Sequence, residues 1–130
     1  MAGYRSFSEL DVYRLAEALA DKVWELVAGW DYFAKSTVGR QLVRAADSIG
    51  ANIAEGHGRG SYMENRRFVR IARGSLNETR HWLRRSHRRN LIAERDSESL
   101  RACLEKLAPA LNGYLRSMSR KVDAQPTNPS

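Results

Sequence analysis

Asn52 to Ser61 reads NIAEGHGRGS, with three glycines, a histidine and an arginine in ten residues. Such a stretch has the material for a loop that grips phosphate. A nucleotide loop would also need the lysine and serine or threonine of a Walker sequence, and it would follow a strand. This one has neither feature, so a helix-to-helix turn is one reading. An anion meeting free amides near the next helix start, beside Arg59, is another.

Metal and hydrolytic chemistry find less support. His57 lies in the turn, and His81 and His87 are six residues apart, off a common helical face. Glu78 and His81 form one Glu-x-x-His pair of the kind that di-metal bundles use twice, but there is no second pair. Ser75, Glu78 and His81 could approach one another, yet no serine sits in a nucleophile elbow. The sequence therefore predicts no catalytic residues, no metal, no cofactor and no enzyme.

Asn52 and Glu55 share one side of a helix beside Ile49 and Ile53. A carboxylate buried there needs partners, and Arg59, Arg73 or turn amides are available. These groups either fasten a helix corner or line a polar ligand site.

The largest concentration of chemistry is cationic. Residues 57–95 hold eleven arginines against Glu64, Glu78 and Glu94, a net +8, which leaves the rest of the chain at −1 of a total of +7. Arg66, Arg70, Arg73, Arg80, Arg84 and Arg88 recur at steps of three, four or their sum and so form one ridge. Arg84, Arg85, Arg88 and Arg89 also lie near a helix C-terminus, where the dipole favours positive charge. With a pI near 10.1, three readings stand: RNA or DNA contact through phosphates, acidic protein partners or intersubunit salt bridges, and a solvated face.

The elements that carry these residues are helical. Val12, Leu15, Ala16, Leu19, Val23, Leu26, Val27 and Trp30 have the spacing of a buried helical stripe, which predicts a first helix from Ser8, as a weak cap, to Ala28. Val38, Leu42, Ala45, Ala46, Ile49 and Ile53 predict a second from Ser36 to Glu55, with a soft point at Gly50. Ser61 and Glu64 match a capping box that opens a third helix reaching Arg89, with Phe68, Ile71, Ala72, Ser75, Leu76, Thr79, Trp82 and Leu83 inward. Leu100, Leu104, Leu107, Leu111, Leu115 and Met118 line a fourth, which Pro109 bends rather than ends. Trp24, Trp82 and Phe68 are expected in the core, while Trp30, Tyr32 and Phe33 form a cluster that could line a subunit contact.

These patterns predict an all-α protein, an antiparallel up-and-down four-helix bundle. Its single domain spans 8–121, after an N-terminal extension (1–7) and before a flexible tail (122–130). At 130 residues one such domain can bury a sufficient core. The lone Cys103 fits a reducing compartment, and no apolar run approaches the roughly 20 residues needed to span a bilayer. A cytoplasmic location without membrane contact is the expectation.

The blocks FSELDVYRLAEALADKV, QLVRAADSIGANIAEGHGRGS, FVRIARGSLNE and LNGYLRSM resemble the bacterial four-helix-bundle family named after proteins encoded by intervening sequences in 23S ribosomal RNA genes. The likeness covers Phe7 to Lys121. It implies a ring-like homopentamer, and it marks Asn52, Ala54, Glu55, Gly56, Arg59, Phe68, Arg73, Gly74, Ser75 and Glu78 as the family signature. Among these, Asn52, Glu55, Gly56, Arg59, Arg73 and Glu78 would form a structural corner. Related accessory proteins of diversity-generating retroelements use a basic pentamer surface to bind nucleic acid and a reverse transcriptase. The chain departs from the family at Gly50, where proline is common, at Pro109, and in the unusually basic TRHWLRRSHRR. An oligomeric scaffold or accessory protein is the function the resemblance implies, with nucleic-acid binding through the third helix as the alternative.

Overall fold

The computed structural model describes residues 6–126. The first five residues of the expected extension and the last four of the expected tail lie outside them.

A short 3-10 turn, Phe7–Glu9, precedes α1, Asp11–Ala28. The expected cap shifts: Ser6, not Ser8, accepts from a backbone amide, and it caps the 3-10 turn, while α1 starts after extended Leu10 with no side-chain cap. Asp31 then caps Tyr32–Ala34 by accepting from the Ala34 amide. That turn runs through a π segment, Lys35–Gly39, into Arg40–His57. The junction residues Ala34, Lys35, Gly39 and Arg40 all keep right-handed helical dihedrals, so residues 32–57 make one helix, α2. It passes Gly50 as regular α-helix; the irregularity lies at the π segment instead. Helix α3 is Tyr62–Arg88 and α4 is Glu94–Ala124.

The third helix thus ends one residue before Arg89, and the fourth continues three residues past Lys121. Pro109 lies inside α4 on its exposed side, as does Glu105, whose carbonyl loses its amide partner. A lost bond facing water is far less costly than one in the core, which lets the helix continue.

Packing closes a square: α1 against α2, α2 against α3, α3 against α4, and α4 back against α1. The α1/α2 groove is therefore on the side opposite the α3/α4 groove. Leu19, Leu42, Ile49, Ile53, Leu107 and Leu111 are wholly buried on the shared axis, each contributing about 1.5–3 kcal/mol through removal from water. The stripes read for α1, α2 and α4 point inward, with Leu15, Leu26, Trp30 and Leu104 only half-buried at their edges.

Three apolar residues depart from expectation. Trp24 is 63% exposed and Ile71 41%, while Phe68 is half-buried between the guanidinium groups of Arg59 and Arg67, at 4.9 and 4.6 Å from its ring centre. The inward face of α3 is rotated towards Asn65, Val69 and Ser86. The cause is compositional: with so many arginines, apolar residues alone do not fix the centre of the buried arc, and small polar ones complete it. Ser86 and Thr79 donate their hydroxyls to backbone carbonyls four residues earlier, which makes their burial tolerable.

Candidate functional site

At the α2–α3 corner the first part of the glycine-rich stretch is the last turn of α2, which takes in His57, expected in the turn, and only Gly58 to Ser61 form the connection. The Gly58 amide donates to the Ala54 carbonyl and the Arg59 amide to the Gly56 carbonyl. Gly60 has φ +84°, a region where residues bearing a Cβ are strained. Ser61 caps α3 by accepting from the Glu64 amide at 3.2 Å. The Glu64 carboxylate does not complete a capping box; it accepts from Arg67 at 2.9 Å, and that contact holds its carboxyl below the usual range. Arg59, the cation an anion would need, pairs with Glu55 at 2.8 Å.

The six expected corner residues therefore do not converge. Glu55 and Arg59 form an exposed pair, and Asn52 donates to the Ser48 carbonyl at 2.8 Å. Arg73 and Glu78 are exposed further along α3. Gly56 alone is buried at the helix crossing: a Cβ there would stand 2.7 Å from Asn65 Oδ1 and 2.8 Å from Phe68 Cβ.

Asn65, which sequence reasoning missed, is the polar centre of this corner. Its Nδ2 donates to Tyr114 Oη and Met118 Sδ, both at 3.2 Å, and its Oδ1 is buried without a hydrogen-bond partner. Burial raises the Tyr114 hydroxyl above the ordinary tyrosine range, and the bond from Asn65 partly offsets this. Only its register with Leu76 and Leu83 could have flagged Asn65 as inward.

The arginine ridge divides by neighbourhood. Arg70 and Arg73 line a cleft of 370 Å³ with Arg116, Arg120, Leu115 and Asp123. Arg84 and Arg88 line another, of 420 Å³, with His87, Arg101, Leu100 and Leu104. Arg80 and Arg89 are exposed and Arg66 and Arg85 half-buried, outside both clefts. No carboxylate of the described residues comes within 4.0 Å of Arg66, Arg70, Arg73, Arg80, Arg84, Arg85, Arg88 or Arg89, since the arginine ion pairs there are Arg59–Glu55 and Arg67–Glu64.

A second surface is apolar. Trp24, Val27, Ala28 and Val43 line a 600 Å³ groove flanked by Arg40 and Arg44. Next to it in the chain, Tyr32 and Phe33 are 84% and 77% exposed. Trp30, the third member of the expected cluster, instead turns inward and donates its indole N–H to the Leu91 carbonyl at 2.9 Å. Among the described residues no three or more His, Cys, Asp and Glu side chains are grouped to hold a metal ion, and no helix is long and apolar enough to cross a membrane.

The fold is an antiparallel four-helix bundle, with two arginine-lined clefts between α3 and α4 and exposed aromatics on α1 and at the start of α2. The chain belongs to the 23S rRNA-intervening sequence protein family, whose pattern it matches over residues 8–113. Its fold is similar to that of a crystal structure from Bacteroides thetaiotaomicron, a protein with unknown function from the S23 ribosomal protein family. The two share 24% identity with a TM-score of 0.70, over 80% of this chain and 97% of that one. No curated protein sequence matches this chain.

Proposed function

We propose that this chain is a non-enzymatic, self-assembling bundle, a cytoplasmic homopentamer that serves as a scaffold or accessory protein. The observation that carries the reading is a set of exposed aromatics on two neighbouring helices: Trp24, which lines the α1/α2 groove, and Tyr32 and Phe33 in the first turn of α2. Aromatic side chains are enriched at contact surfaces relative to the rest of a protein's exterior. Light scattering at micromolar concentration tests it: the expected mass is five times the 14.8 kDa of one chain, and Trp24→Lys with Phe33→Glu should lower it. A monomer mass for the unaltered protein would overturn the assembly.

A second reading, nucleic-acid binding by the basic face, is favoured by the unpaired arginines of α3. An uncompensated row of positive charge costs the folded state repulsion that a polyanion relieves. Binding to labelled RNA and duplex DNA between about 50 and 300 mM salt checks this, because phosphate contact falls steeply with salt.

A further inference from the structure

Antiparallel pairing sets the last third of α4 against the first half of α3, and so adds α4 cations to a ridge that one helix alone does not complete. We propose that the α3/α4 groove is a two-cleft track for a nucleic-acid backbone. Arg70, Arg73, Arg116 and Arg120 would hold phosphates at one end, and Arg84, Arg88 and Arg101 at the other. The inference rests on the nucleic-acid reading above and names the contact surface within it.

Four features of the groove carry it. Its strong cations are all arginines, whose planar fork matches phosphate oxygens in pairs. Asp123 is the one carboxylate lining the first cleft, and none lines the second. The clefts have apolar walls, from Leu115 in one and Leu83, Ile92, Leu100 and Leu104 in the other, and low-dielectric walls focus a positive field. Finally, Arg70 and Arg73 lie about 14 residues before Arg84 and Arg88, about 21 Å along a helix. One small anion cannot occupy both places, whereas a polymer with a charge at every repeat can.

One end of the opposite groove, between α1 and α2, carries the reverse sign. Glu17, Asp21 and Asp47 line it there beside Tyr13, and burial, with the Asp21 carboxylate second, raises the Asp47 carboxyl above its usual range. A phosphate backbone is repelled at that end, whereas Lys35, Arg40 and Arg44 line the other end of the same groove and both clefts of the α3/α4 seam are lined by arginines. An acidic protein segment would find the same cations, but its carboxylates do not repeat along a continuous line as phosphates do.

The test is a titration of the full chain with a fluorescein-labelled structured RNA of about 30 nucleotides across a salt series, with thermal melts to verify folding. Arg116→Gln with Arg120→Gln should lower the slope of log affinity against log salt by about two and weaken binding at least about tenfold at 100 mM salt. Arg101→Gln should lower it by about one. Arg14→Gln with Lys22→Gln, two exposed α1 cations removed outside this groove, should leave the slope unchanged. If the unaltered protein does not bind at about 50 mM salt, the nucleic-acid reading itself fails. If it binds and the α4 variants match it while Arg80→Gln with Arg85→Gln weakens it, that reading stands and the groove is not the track. Displacement of the RNA by polyglutamate at equal charge concentration would assign the groove to an acidic protein instead and overturn the proposal.

Discussion

Gly56 on α2 and Asn65 on α3 stand so close that a Cβ added to Gly56 would come within 2.7 Å of Asn65 Oδ1 and 3.1 Å of the Asn65 carbonyl. The crossing of the two helices is set by the missing side chain. Gly56→Ala gains up to about 1 kcal/mol of helix propensity, but overpacking a rigid crossing costs about 1–3 kcal/mol, because Phe68 Cβ at 2.8 Å cannot turn aside. The net expectation is a lower Tm by thermal circular dichroism; an unchanged or higher one would mean the helices separate freely.

Glu55 and Ser61 flank the same turn with opposite expected weights. The Glu55–Arg59 pair is 53% and 44% exposed at its two side chains, and exposed ion pairs contribute about 0–1 kcal/mol. Glu55→Ala should therefore move Tm only slightly, contrary to what a buried carboxylate would give. Ser61→Ala removes the α3 cap and should cost about 1 kcal/mol. Reversed magnitudes in denaturant unfolding would refute this ordering.

Trp30 ties the α1–α2 connection to the α3–α4 connection through the Leu91 carbonyl. The receiving turn is itself built: Asn90 has φ +59°, and the Leu91 amide reaches back to Ser86, the pattern that closes a helix with a left-handed residue. Trp30→Phe keeps most of the apolar contact and leaves that carbonyl without its donor. It should destabilise by about 1–3 kcal/mol and speed amide exchange at residues 90–92. Protection there equal to that of the unaltered protein would show that the indole bond does not fasten this end.

Two carboxylates should give opposite pH signatures. The Asp47 carboxyl is raised by burial and by Asp21, so the folded state holds its proton more tightly than the unfolded chain. Its contribution is fully present below the ordinary aspartate range and is lost as pH rises through the raised value. Asp47→Asn should thus raise Tm at pH 7 and have no such benefit near pH 3. Glu64 is lowered by Arg67, so its contribution is present above the ordinary glutamate range and lost as pH falls through the lowered value. Glu64→Gln should lower Tm at pH 7, with the difference vanishing in acid. Parallel pH profiles for the two variants would contradict both assignments.

The sequence by itself determined the four helices, because the three-and-four spacing of Val12 to Val27, Leu42 to Ile53 and Leu107 to Met118 is a property of one helix at a time. It also determined the α3 start at Ser61, whose cap is a local bond within four residues. The arginine ridge was legible for the same reason. What the tertiary structure alone decided depends on register between helices. Phe68 and Trp24 look apolar and inward in a helical projection, yet the arc that each helix buries is fixed by its two neighbours. Asn65 reaches Tyr114 and Met118, and Trp30 reaches Leu91, across 49 to 61 residues of chain. Arg116 and Arg120 join Arg70 and Arg73 only because antiparallel packing brings distant turns together, and no spacing within one helix encodes that meeting.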